Sequence, residues 1–383
     1  MGHNISRKIK VIIVRDDPYQ KDTASYNRNM AIEKMVRSVF DCELVVLKSN
    51  TRKIQDRIIN GLTKRFKLIV KLNKCFVGID EKYDHVIFLR SIDPLTALIT
   101  WLYSKPKGIK LAIERNEFPY VFLDEKANPL RKILFKHLIL PWHYRLFDVL
   151  FLMTDELVDF YSRYAREKAV IQKLPMTVDF SRFEFEKPSS KNSYIFYAGS
   201  LLEKKDGVES LIHAFKNISE AYPNIDLKIA GATKDKKQEK RLKNMISEYK
   251  LQARVTLLGL VNRDEIPGLL CSAKILVLPR PDSMQARGGF PTKLGEYLAA
   301  EVPVIVTRVG EIPKHLSEDE VFFISPDKII SDLSEQIKHI LLNYDQAKRV
   351  ACKGKIAAMK HFSLEVNQHA IKSAFNKVGS SPN

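Results

Sequence analysis

The chain has 383 residues, 45 % hydrophobic and 28 % charged, which gives room for two globular cores and excludes a disordered or fibrous chain. No apolar run approaches the roughly 18–20 residues of a membrane-spanning helix. A formal net charge of +18 asks for an anionic partner, whether a phosphorylated substrate, an anionic membrane surface or nucleic acid. Four cysteines (Cys42, Cys75, Cys271, Cys352) lie far apart with no Cys-x-x-Cys pair, so neither a disulfide framework nor a zinc site is indicated and a reducing cytoplasm is expected.

Apolar runs at Val11–Val14, Glu43–Leu47, His85–Leu89, Lys110–Glu114, Val149–Met153 and Ala169–Leu174 read as strands. Longer amphipathic stretches separate them, the pattern of βαβ units in a parallel sheet. Within this series Arg28 starts a helix, where it either meets a phosphate or remains a solvated helix-end charge. The stretch Lys48–Lys74 carries nine Lys/Arg against the single acid Asp56, interleaved with apolar residues at helical spacing. It reads as a basic membrane-surface helix or as a basic face packed by its apolar stripe. The segment Arg131–Leu146, with Trp142, Tyr144 and many apolar residues, reads as core or, less readily, as a second membrane-facing element. The polar run Phe183–Ser193 has linker composition.

A second series of strands follows at Tyr194–Gly199, Asp226–Gly231, Arg254–Gly259, Lys274–Leu278, Val304–Thr307 and Val321–Ile324. Two such series predict two doubly wound domains, residues 1–185 and 186–361, with a helical, fraying tail at 362–383. Ligands of doubly wound sheets bind beyond the carboxyl ends of the strands. The loop after Tyr194–Gly199 runs through Lys204, Lys205 and Gly207 into a helix, so that cations stand beside a terminus whose dipole already favours anions.

The loop between Pro279 and the next helix carries more chemistry. Arg280 opens it, and Gly288 and Gly289 allow a ligand close to the backbone. Phe290 and Pro291 follow, and Thr292 can cap the helix. Lys293 lies in the first helical turn, where the dipole disfavours a cation unless an anion offsets it. Glu296, three residues later, shares its face. A carboxylate so placed can hold ribose hydroxyls or simply pair with Lys293.

The run Gly289-Phe-Pro-Thr-Lys-Leu-Gly-Glu-Tyr-Leu-Ala, followed by Val302-Pro-Val-Ile-Val-Thr, resembles the signature of group 1 (family four) glycosyltransferases. Tyr197-Ala-Gly-Ser-Leu-Leu-Glu-Lys-Lys-Asp-Gly-Val is similar to the same family's glycine-lysine loop, and Leu174-Pro-Met-Thr-Val-Asp179 to its interdomain segment. The resemblance covers about Ile171–His361 and implies a GT-B fold, two Rossmann-like domains facing across a cleft. It implies a nucleotide-sugar donor held by Gly199, Lys205, Arg280 and the residues Gly289, Phe290, Pro291, Thr292, Lys293 and Glu296. Glu296 would hold the ribose and Lys205 the diphosphate. The family's first glutamate falls on Gly288, and the arginine usual after Gly199 is Ser200.

After Lys110–Glu114, where relatives often place a histidine, the chain reads Ile113-Glu-Arg-Asn-Glu-Phe-Pro119. Glu114 or Glu117 takes the polar role there, so Lys205, Glu296 and Glu117 are the catalytic candidates, with Arg28 and Glu114 on the acceptor side. No Asp-x-Asp and no ligand cluster at metal-site spacing occur, so neither a metal nor another cofactor is expected. The expected activity is sugar transfer, retaining and metal-independent, to a glycan or lipid-linked saccharide in cell-surface polysaccharide biosynthesis. The enzyme is expected in the cytoplasm, peripheral at the inner membrane face through Lys48–Lys74, with no nucleic-acid partner. A nucleotide-sugar epimerase on the same fold and a non-catalytic scaffold subunit are the alternatives.

Overall fold

Each of the twelve expected apolar runs forms a strand. The structure, a computed structural model, describes residues 8–17, 24–48, 66–75, 83–90, 92–123, 127–185, 193–233 and 235–379. It divides into two units, residues 1–175 with 364–383, and residues 176–363.

The first unit holds β1 (Lys8–Asp17), β2 (Asp41–Lys48), β3 (Tyr83–Arg90), β4 (Lys110–Arg115), β5 (Val149–Leu152) and β6 (Val170–Lys173). They form one parallel sheet in the order β2-β1-β3-β4-β5-β6, with Ile12 opposite Ile87. Such strands are buried on both faces and so read as continuous apolar runs. Its helices are α1 (Ala24–Val39), α2 (66–75), α3 (Pro94–Ser104), α4 (Tyr120–Leu123), α5 (Pro129–Leu134), α6 (Leu140–Tyr144) and α7 (Asp155–Ser162). Pro94 at the start of α3 and the Asp93 carboxylate on the Thr96 amide set that helix's first turn. Of the basic stretch Lys48–Lys74, residues 49–65 lie outside the described residues. In α2 Leu68 and Leu72, four apart, are buried.

The second unit holds β7 (Ser193–Ala198), β8 (Ile225–Ala230), β9 (Val255–Gly259), β10 (Ile275–Leu278), β11 (Val304–Thr307) and β12 (Phe322–Ile324). The order is β12-β11-β10-β7-β8-β9, all parallel. The chain builds outward from β7 to β9, then returns to lay β10 on the other side of β7. That reversal makes the β7/β10 crevice the topological switch point. Its helices are α8 (Glu203–Asp206), α9 (Val208–Ser219), α10 (Lys236–Glu248), α11 (Ile266–Cys271), α12 (Met284–Gly288), α13 (Thr292–Ala299), α14 (Ile312–His315), α15 (Ile329–Leu342) and α16 (Tyr344–Phe362).

The last helix, α17 (Leu364–Gly379), belongs to the first unit rather than standing apart as a tail. Its Ile371, Ala374, Phe375 and Val378 are buried, and Phe375 meets Phe40, Phe88 and Phe151 at 5.5–5.9 Å. The break between units falls at 175/176, earlier than 185/186. Residues just after Pro175 are tied to the second unit, where Val178 bridges Ser363 and donates its amide to the Phe362 carbonyl at 2.8 Å.

Candidate functional site

At the carboxyl end of β7, Gly199 and Ser200 begin the first crevice loop, and Pro279 and Arg280 begin the second after β10. The loops touch. A Cβ on Gly207, whose φ is +71°, would collide with the Pro279 carbonyl. Only glycine combines that conformation with that approach. A Cβ on Gly199 would likewise overlap the Lys293 ammonium.

Asp206 is the hub. Its Oδ2 accepts from the Tyr197 hydroxyl at 3.0 Å, from the Ser200 amide at 3.2 Å and from the Lys293 ammonium. Burial pushes the Asp206 carboxyl up, but Lys293, then Arg280 and Lys205, hold it below the usual aspartate range. Burial pulls the Lys293 ammonium down against the opposing pull of Asp206. The Tyr197 hydroxyl is raised far above its usual value by burial and then by Asp206. Three cations, Lys293, Arg280 and Lys205, thus act electrostatically on this one buried carboxylate at the crevice. Lys205 is half-buried, and its ammonium finds no partner among the described residues. Arg280 is buried, with one guanidinium nitrogen 3.3 Å from the Gln285 carbonyl.

The two helix termini differ from expectation. The N-terminus of α9 is occupied by Glu203, whose carboxylate accepts the Glu209 amide at 2.6 Å and the Ser210 amide at 3.3 Å. An internal anion has taken the place expected for a phosphate. At α13, Pro291 is the N-cap and Thr292 the first helical residue, so Thr292 does not cap and the terminus carries no side-chain cap. An open terminus is the better anion site.

Lys293 and Glu296 do not pair with each other. Lys293 turns to Asp206, and Glu296 forms an ion pair with Arg182, which also donates to the Arg263 carbonyl at 2.7 Å. The sequence did not single out Arg182, although it lies three residues beyond the Asp179 that carried the family resemblance. Gly295 explains the pairing: a Cβ there would overlap Val178 and lie 3.2 Å from Met176 Cε. The glycine lets the segment leading to Arg182 pass close to α13. Glu296 Oε2 has no partner among the described residues and remains able to accept hydroxyls. Gly289 and Pro291 are buried in the loop. Phe290 packs at 5.1 Å on Phe362 and 5.7 Å on His315, so its ring anchors the loop rather than lining the crevice.

In the first unit, Arg28 and Glu114 meet each other instead of facing solvent. Arg28 Nε donates to Glu114 at 2.8 Å, and its other nitrogens donate to the carbonyls of Pro175 and Leu174 at 2.6 and 2.9 Å. Arg90 takes the other Glu114 oxygen and also holds Asn29. This buried network ties α1 and β3 to β4 and to the end of β6. The charged ends of both Arg28 and Glu114, expected on the acceptor side, are buried within it. Glu117 is exposed after β4, its carbonyl held by the Tyr161 hydroxyl at 3.1 Å. Arg115, after Glu114 in β4, lies 3.4 Å from Nε2 of the buried His143 of α6. Burial and then Arg115 depress His143 to about 3, so it stays neutral at physiological pH.

Comparison with known proteins agrees with this architecture. Residues 179–356 match the family model described as Glycosyl transferases group 1. The chain is 27 % identical over 156 residues to the phosphatidylinositol N-acetylglucosaminyltransferase gpi3 subunit of Schizosaccharomyces pombe, covering 41 % of this chain and 32 % of that protein. It is 27 % identical over 176 residues to the putative colanic acid biosynthesis glycosyltransferase WcaL of Escherichia coli, 45 % of this chain and 42 % of the relative. The matched segment thus spans well under half the length of these curated relatives. In three dimensions the chain is similar to Anabaena HepE, solved in complex with UDP and glucose, with a TM-score of 0.71, 13 % identity, and coverage of 95 % of this chain and 98 % of that one. By fold the chain is a GT-B protein, and its residues 179–356 match the family model of group 1 glycosyl transferases.

Proposed function

We propose that the chain transfers a sugar from a nucleoside diphosphate donor to a hydroxyl of a glycan or lipid-linked saccharide, with retention and without a metal, in cell-surface polysaccharide assembly. The observation that carries this is the cluster of Lys205, Arg280 and Lys293 at the β7/β10 switch point beside the open terminus of α13. A departing nucleoside diphosphate is a compact multiple anion, and fixed cations and amide dipoles stabilise it more as the glycosidic bond breaks. Lys205 is the cation free to engage it. Lys293 and Arg280 add field, and Glu296 accepts from the ribose. Two related proteins named for glycosyl transfer and a structural neighbour holding UDP support this reading. The proposed site of work is the cytoplasmic membrane face, where lipid-linked acceptors are reached without crossing the bilayer.

The test is a thermal-shift and calorimetric screen of nucleoside diphosphates and their sugars. One of them, such as UDP, is expected to raise the melting temperature. Lys205→Ala and Glu296→Ala should each weaken binding at least tenfold, as loss of a charge-assisted contact requires. Lys205→Ala should melt close to the wild type without ligand, because its ammonium makes no hydrogen bond or ion pair among the described residues. A stabilisation indifferent to both substitutions, or none at millimolar nucleotide, would overturn the reading in favour of a scaffold. Donor turnover without any acceptor would point to an epimerase.

A further inference from the structure

Three helices of the first unit turn apolar side chains outward and carry only basic charge. In the helix from Pro129 to Tyr144, Leu130, Ile133, Leu134 and Leu138 share one face and are 47 to 61 % exposed. The fold builds this orientation. Residues Phe135–Ile139 form a π-helical turn between α5 and α6. One extra residue in a turn rotates the next stretch of helix by about 100°. Beyond the turn Leu140, His143 and Tyr144 are buried, while Leu130, Ile133 and Leu134 before it and Leu138 within it stay exposed. Arg131, Lys132 and Lys136 flank the stripe. Of the two sequence readings of this segment, core, the favoured one, holds for its second half and is corrected for its first.

The same character continues on neighbouring helices. On α3, which packs on α6, Leu95 and Leu102 are exposed, and Lys105 and Lys107 follow directly. Tyr103 of α3 donates to Asn73 of α2 at 2.8 Å. On α2 Phe66 and Val70 point outward among Lys67, Lys71 and Lys74. Residues 66–75, 94–107 and 127–147 contain no aspartate or glutamate.

We infer that α5 with its π turn, joined by the exposed faces of α3 and α2, is a docking surface for an anionic lipid bilayer. Leu130, Ile133, Leu134 and Leu138 enter the acyl boundary, and the lysines and arginines meet the headgroups. Exposed leucines alone would suit a protein partner equally. The acid-free cationic rim selects an anionic surface and sets two copies of the chain against each other electrostatically. The inference does not depend on the proposed sugar transfer, since lipid binding is measured without nucleotide.

The test is flotation of the full chain with vesicles of phosphatidylcholine alone and with 30 mol % phosphatidylglycerol. Binding is expected to the anionic vesicles only and to fall with salt. The variant Leu130→Ser/Ile133→Ser/Leu134→Ser/Leu138→Ser should lose it with circular dichroism and nucleotide-induced thermal shift unchanged. Arg131→Glu/Lys132→Glu/Lys136→Glu should weaken it by about fivefold or more per residue. No binding to anionic vesicles, equal binding to neutral ones, or binding retained by the serine variant would overturn the inference. A dimer in light scattering that the serine variant abolishes would also overturn it, making a second copy the occupant.

Discussion

Asp206 holds the two crevice loops together through three donors, and its ionisation should be readable in the acid stability of the second unit. Its folded carboxyl lies below the ordinary value of 3.8. As pH falls, the unfolded chain therefore takes up this proton first. The contribution is complete above about pH 5 and drains away as pH drops through the folded value. Asp206→Asn keeps acceptors for Tyr197 and Ser200 but leaves the Lys293 charge uncompensated. It should cost about 2–3 kcal/mol near neutrality, less than a fully buried pair because Lys293 is partly exposed. The variant should also lack the acid-dependent component below pH 4. Hydrogen exchange at the Ser200 amide, which donates to Asp206, is the direct probe. Wild-type exchange should accelerate as pH is lowered from 5 to 3, after correction for intrinsic rates, and the variant's should not.

At the scale of elements, α13 works because two of its faces are committed differently. Gly295 admits the incoming segment 176–183, and Glu296 one residue on receives Arg182 from that segment. Gly295→Ala should force the two apart, costing about 1–3 kcal/mol as overpacking does. It should weaken nucleotide binding further by moving Glu296. Gly268→Ala is the matched control: its Cβ would meet nothing within 4 Å in α11. There the helical preference of alanine should stabilise by about 0.5–1 kcal/mol. Denaturant melts followed by far-ultraviolet circular dichroism, with calorimetric titration of nucleotide, separate these outcomes. Equal effects of the two substitutions would contradict this role of Gly295. The elements themselves were legible, since parallel strands buried on both faces leave apolar runs no loop imitates. What occupies each helix terminus was not legible. Glu203 on α9 and Pro291 on α13 are decided by loop paths that spacing alone does not encode. The Arg182–Glu296 pair joins residues 114 apart in sequence, and no local period records it.

At the scale of the molecule, the two-sheet plan followed from alternation, but the membership of the last helix did not. An amphipathic period in α17 says that one face must be covered, not by which sheet. Its covered face supplies Phe375 to an aromatic cluster with Phe88 and Phe151 of the first sheet, alongside Ile371, Ala374 and Val378. Losing one large buried side chain costs about 2–5 kcal/mol, while a whole domain is stable by only about 5–15 kcal/mol. Deletion of residues 364–383 should therefore unfold the first unit. Its effect on the second should be small, because α17 belongs to the first unit. Both tryptophans, Trp101 and Trp142, lie in the first unit. Their fluorescence should report a largely unfolded environment in the truncated chain at 25 °C. Calorimetry should still detect the nucleoside diphosphate bound at the β7/β10 crevice, with circular dichroism retaining a cooperative transition for the second unit. Native tryptophan emission in the truncated chain would show that the first sheet is stable without α17. Loss of nucleotide binding together with the first unit's fold would show that the crevice of the second unit is not self-sufficient.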